Sequence, residues 1–172
     1  MDYRERQKAE IATIKERTVK LNLSDADCER IARYAGKANL TVGELLENFI
    51  GDLVDGTYSN GSDERDLADQ WYERCGFGMF PENTLLRLIL ENGEDMVDFI
   101  TACDEKEYYE KHPEEYAEEL AEAKENGETM LWFEQEYHSF IDDFFEENPG
   151  LDVETEIDRC RKWQSELEQL MG

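Results

Sequence analysis

The hydrophobic and polar positions over residues 17–54, RTVKLNLSDADCERIARYAGKANLTVGELLENFIGDLV, change period twice within one short stretch. At residues 18–23 they alternate, with Thr18, Lys20 and Asn22 on one side and Val19, Leu21 and Leu23 on the other, the two-residue period of a half-buried strand. Ser24 ends the alternation and is a good helix N-cap, with Asp27 three residues on. Cys28, Ile31, Ala32 and Ala35 then recur at helical spacing, predicting a short helix to about Gly36. Thr41 and Glu44 have the spacing of a capping box, ahead of Leu45, Leu46, Phe49, Ile50, Leu53 and Val54 on one broad face. The stretch reads strand, helix, turn, helix.

The remaining pattern is helical. Residues 55–64, DGTYSNGSDE, are rich in turn formers and predict a linker to a body over residues 65–172. Leu67, Trp71, Tyr72 and Cys75 predict a helix that ends at Gly76 and Gly78. Pro81 is placed as a first-turn proline opening a helix with Leu85, Leu86, Ile89 and Leu90, which stops at Asn92 and Gly93. Met96, Val97, Phe99 and Ile100 predict another short helix. Residues 104–127 are mostly acid and tyrosine, split by Pro113, with Tyr108, Tyr109, Tyr116 and Leu120 as anchors. Residues 128–148 predict one helix, apolar at Met130, Leu131, Phe133, Tyr137, Phe140, Ile141, Phe144 and Phe145 and carboxylated opposite. A last helix over residues 152–171 turns Ile157, Cys160, Trp163 and Leu167 inward. Residues 1–16 form a helix or arm whose Arg4, Arg6 and Lys8, with Lys15 and Arg17, suit phosphate contacts. The expected fold is mainly α, with one short strand.

Charge changes this picture. The chain carries 44 acidic against 18 basic residues, a formal net charge of −26. Residues 1–40 hold nine Lys/Arg and seven Asp/Glu, net +2, and residues 41–172 hold nine and 37, net −28. Aromatic residues make up 11% of the chain, too many for a disordered acidic tail, so the acidic part is expected to fold.

The residue types of catalysis are sparse. There is no phosphate loop and no nucleophile motif, and the two histidines, His112 and His138, stand beside no Ser or Cys nucleophile. Cys28, Cys75, Cys103 and Cys160 are too widely spaced for a Cys-x-x-Cys metal site. The run from Asp152 through Glu154 and Glu156 to Asp158 lacks the glycine and distal glutamate of a calcium loop. No catalytic residue, metal or cofactor is expected. With no signal peptide and no long apolar run, the reading is a cytoplasmic protein that does not bind membranes.

Residues 17–54 resemble the ribbon-helix-helix family of the Arc and CopG type. The resemblance implies an antiparallel ribbon between two copies of the chain, hence a homodimer. It also implies base reading in the major groove by Thr18, Lys20 and Asn22, and a phosphate held by the amides after Thr41. The acidic body resembles, in composition only, phage and mobile-element proteins that block restriction or CRISPR nucleases. Its candidate contact surface is Glu118, Glu119, Glu122, Glu134, Asp142, Asp143, Glu146 and Glu147. A rigid array of carboxylates can occupy a groove built for a phosphate backbone. On charge, the first expectation is an acidic inhibitor of a basic nucleic-acid-binding protein such as a Cas nuclease. The second is a ribbon-helix-helix DNA-binding regulator or relaxosome accessory protein, and the third an assembly partner with no nucleic-acid link.

Overall fold

The computed structural model describes residues 2–172, which carry nine α-helices and one 3-10 turn. Helices α1 (Tyr3–Ala12), α2 (Asp25–Lys37), α3 (Val42–Leu53) and α4 (Ser62–Arg74) belong to an N-terminal unit ending at Pro81. Helices α5 (Leu85–Asn92), α6 (Met96–Lys111), α7 (Ala117–Glu125), α8 (Trp132–Glu147) and α9 (Val153–Met171), with the 3-10 turn Pro113–Tyr116, form a C-terminal unit from Glu82 to Gly172.

The helix starts follow the local chemistry. Ser24 caps α2 by accepting the Asp27 amide at 3.2 Å, and Thr41 caps α3 through a reciprocal box with Glu44. Gly93 ends α5 in the left-handed region at φ 70°, where only glycine is free of strain.

The expected strand is not shown. Among the described residues there is no strand at all, and residues 17–23 carry no regular structure. Val19, Leu21 and Leu23 stand 58%, 57% and 53% exposed. A strand needs a ladder of backbone partners, and in a ribbon shared between two chains that ladder lies on the other copy.

Three boundaries also move. Pro81 does not open a helix, because Thr84 caps α5 by accepting the Arg87 amide at 3.1 Å. The short helix expected from Met96 continues through the acidic stretch to Lys111. The expected linker over residues 55–64 is a tied loop only to residue 61, where α4 takes over at Ser62; Asp52 accepts the Asn60 amide at 2.6 Å and Arg65 pairs with Asp55 at 2.8 Å. Helix α4, grouped by the sequence with the acidic body, packs on α3 through Phe49 and Trp71, whose rings meet edge-on at 5.4 Å.

The units differ in how much they bury. In the N-terminal unit only Ala35 and Ala68 are buried among the described residues. The C-terminal unit has a closed core of Leu85, Ile89, Met96, Phe99, Cys103, Ile141, Phe144, Ile157 and Cys160, drawn from α5, α6, α8 and α9. A second cluster joins Ala102, Tyr116, Ala123, Leu131 and Phe133, with the rings of Tyr109, Tyr116 and Phe133 mutually within 5.6 Å.

One buried carboxylate sits in the C-terminal unit. Glu156 on α9 is 2% exposed, accepts the Leu85 amide at the start of α5 at 2.9 Å, and lies 3.4 Å from the Arg159 guanidinium. The helix dipole favours a negative charge there, and the amide would otherwise lack a partner. Glu156→Ala should therefore cost about 1.5–3 kcal/mol, the worth of a hydrogen bond to a charged group. Glu156→Gln should cost less, since its amide oxygen can still accept from Leu85. Urea denaturation of the three proteins measures both differences.

Burial pushes the Cys103 and Cys160 thiols up to about 12 from a usual 9.0. The Tyr116 hydroxyl donates to the Glu105 carboxylate at 2.5 Å, which with burial raises its ionisation to about 12. Groups raised in the fold lose their protons first in the unfolded chain. Stability from the two thiols should thus be intact below about pH 9 and fall as the pH climbs toward 12. Thermal melts across this range should show the decline, and replacing both Cys103 and Cys160 by Ala should flatten it.

Candidate nucleic-acid interface and acidic surface

The sequence-predicted reading residues lie on the segment that leads into α2. Thr18, Lys20 and Asn22 are all exposed, as are the apolar residues between them. The segment follows a basic arm: Arg4, Arg6 and Lys8 are exposed on α1, and Arg17 donates to the Thr13 carbonyl at 3.4 Å. These cations, with Lys15 and Lys20, fall within residues 4–20.

The start of α3 is already partly occupied by a negative group. The Thr41 amide and hydroxyl donate to one Glu44 carboxylate oxygen at 2.7 and 2.9 Å, while the Glu44 amide donates back to the Thr41 hydroxyl at 3.1 Å. The same bonds hold the Glu44 carboxyl below its ordinary range. A phosphate would meet the Val42 and Gly43 amides beside this carboxylate rather than an empty terminus. Gly43 leaves room there, since a Cβ at that position would meet only the Thr41 hydroxyl, at 3.8 Å.

The acidic candidates divide by what they touch. Glu134 is a cap, accepting the Leu131 amide at 3.0 Å to start α8, so its carboxylate is spent on the fold. Asp142 pairs with the His138 ring at 2.9 Å. Glu118, Glu119 and Glu122 on α7 and Asp143, Glu146 and Glu147 on α8 are exposed, with no ion pair or side-chain hydrogen bond among the described residues.

Energetics explains how such a surface stays folded. Asp142 and Glu146, and Asp143 and Glu147, are like charges four apart on α8, each pair costing about 0.2–0.5 kcal/mol. The opposite side of α8 buries Phe133, Ile141 and Phe144, each worth about 1.5–3 kcal/mol. Burial wins easily. Elsewhere the acids are neutralised locally: Arg161 contacts Asp104 at 2.7 Å, Asp158 at 3.5 Å and Glu107 at 3.7 Å.

Sequence reasoning missed Glu156. A signal was present, because Val153, Glu156, Ile157 and Cys160 share one helical stripe, and a carboxylate on an inward stripe marks a buried partner. Among the described residues no three His, Cys, Asp or Glu side chains gather as a metal site. Among the described residues no helix is long and apolar enough to cross a membrane. Comparison with known protein families, curated proteins and solved structures finds no match.

Proposed function

We propose that residues 17–54 form a dimeric ribbon-helix-helix type DNA-binding module, and that this chain acts as a sequence-specific DNA-binding regulator or accessory. The observation that carries this reading is the unfinished interior of the N-terminal unit. Two capped amphipathic helices follow a segment whose Val19, Leu21 and Leu23 stand more than half exposed, and among the described residues of the unit only two alanines are buried. A unit of this size with so small an interior is completed by association. Pairing residues 17–23 with the same segment of a second copy supplies the missing backbone ladder. It buries the three apolar side chains and leaves Thr18, Lys20 and Asn22 facing outward together.

The order of readings reverses the one suggested by charge alone. Exposed carboxylates are expected of any soluble chain at −26, whereas an apolar face without a core calls for a partner. The acidic charge need not oppose DNA binding, because at physiological salt fields decay over ~8 Å and any carboxylate farther than that from the DNA is screened. The dimer reading is checked by light scattering at tens of micromolar (roughly the range of weak association). The unmodified chain should be at least dimeric, and Leu21→Pro should lower its mass by the association made through residues 17–23, since proline removes a ladder donor. Lys20→Ala should weaken binding to a duplex enriched from a random pool by about 1–3 kcal/mol without altering the dimer. A pool that enriches no sequence at low salt would sink the DNA-binding reading.

A second reading keeps one specific observation. The unpaired carboxylates of α7 and α8 stand on helices fixed by an aromatic core, and rigidity separates a mimic of a phosphate backbone from an acidic tail. In that reading the C-terminal unit occupies a basic nucleic-acid groove of another protein, such as a Cas nuclease. A cleavage assay with the protein added before target DNA should show inhibition that fades as salt rises. Replacing Glu118, Glu122, Asp143 and Glu147 by the corresponding amides should abolish it, and equal inhibition by both versions would remove the electrostatic mechanism.

A further inference from the structure

Helix α4 lies outside the ribbon-helix-helix resemblance, yet it carries the most conspicuous unpartnered face in the N-terminal unit. Its one buried residue is Ala68. Leu67 is 63% exposed and Trp71 46%, and with Gln70, Arg74 and Cys75 they line a shallow open groove. Phe77, 55% exposed, extends the apolar surface, its ring 6.1 Å from that of Trp71.

The order of residues along this face says what fits it. Asp63, Leu67, Gln70 and Arg74 are spaced four, three and four apart, so all lie on one stripe of the helix. The stripe is acidic at its N-terminal end, apolar and amide in the middle, and basic at its C-terminal end. Neither Asp63 nor Arg74 has an ion-pair partner among the described residues, although every other arginine of α2 to α4 forms one. Turned end for end, the stripe complements itself: Asp63 of one copy meets Arg74 of the other, and Leu67 meets Gln70 beside Trp71.

We propose that α4 packs antiparallel on α4 of a second copy of this chain, about a two-fold axis passing between Ala68 and Asp69. A self-complementary patch with both charges repeated is what an isologous contact requires. The antiparallel choice also sets the acidic start of each helix dipole against the basic end of its neighbour. This contact is separate from the one through residues 17–23 and does not depend on it.

The register makes a sharp test. In a background with the exposed Cys28 and Cys75 changed to Ser, Asp63→Cys and Arg74→Cys are introduced together. Within one chain these positions are about 16 Å apart along the helix, too far for a disulfide, so any bond between them joins two copies. Mild oxidation of the full-length double variant should give a covalent dimer on a denaturing gel. Either single cysteine alone should give none, because in the proposed register equal positions lie about 16 Å apart along the helix axis. Leu67→Asp added to the double variant should lower the cross-linked fraction at least tenfold. Circular dichroism of each variant reports whether the helices remain. No covalent dimer from a folded double variant overturns the proposal, as does equal cross-linking by the single variants, which means another register. Cross-linking that persists in Leu21→Pro shows that the α4 contact stands without the segment 17–23. Loss of DNA binding with cross-linking intact would count against the DNA-binding reading and leave this contact in place.

Discussion

The hydrogen bond from the Leu85 amide to Glu156 is the contact around which the C-terminal unit is arranged. It joins the first residue of α5 to the first turns of α9, 71 positions apart, inside a closed apolar core. An ionised group is costly to bury unless its charge is met, and here a helix N-terminus and Arg159 meet it together. The geometry therefore admits little slack. If α5 shifted along α9, both the amide and the carboxylate would lose their partner, so the pairing fixes the register in which Leu85 and Ile89 enter the core beside Ile157 and Cys160.

That closed core is what allows the rest of the unit to be so acidic. Each like-charge pair on a helix surface costs a few tenths of a kcal/mol, and each buried aromatic or aliphatic side chain returns several times as much. The chain can thus accumulate carboxylates on α7 and α8 without unfolding, provided that Phe133, Ile141 and Phe144 stay covered. The N-terminal unit follows the opposite plan. Its helices α2 and α3 are capped by side chains, but among the described residues of this unit only Ala35 and Ala68 are buried. Local hydrogen bonding forms its elements, and their packing buries little.

Much of the local structure was legible. Ser24, Thr41, Gly93 and Asp152 bound helices because each acts on amides or carbonyls within a few residues of itself, and such chemistry is written in short windows of sequence. The apolar stripe of α8 and the break at Pro113 were legible for the same reason. Boundaries went wrong where two signals competed: Pro81 suggested a helix start, but Thr84 had the side chain to cap one, and the acid-rich stretch after Cys103 hid the continuation of α6. The alternation at residues 18–23 is a true pattern in the sequence, yet a strand is a relation between two segments, and among the described residues no other segment pairs with this one.

The sequence by itself determined the capped starts at Ser24, Thr41 and Asp152, the apolar stripe of α8, and that the acidic charge falls after residue 40, since periodicity, capping and composition are local properties. Only the tertiary structure decided that Glu156 is buried against the Leu85 amide, that α4 packs on α3, and that one unit closes a core while the other does not. Those outcomes depend on which faces meet across tens of residues, and the free energy of that meeting is absent from any window of sequence.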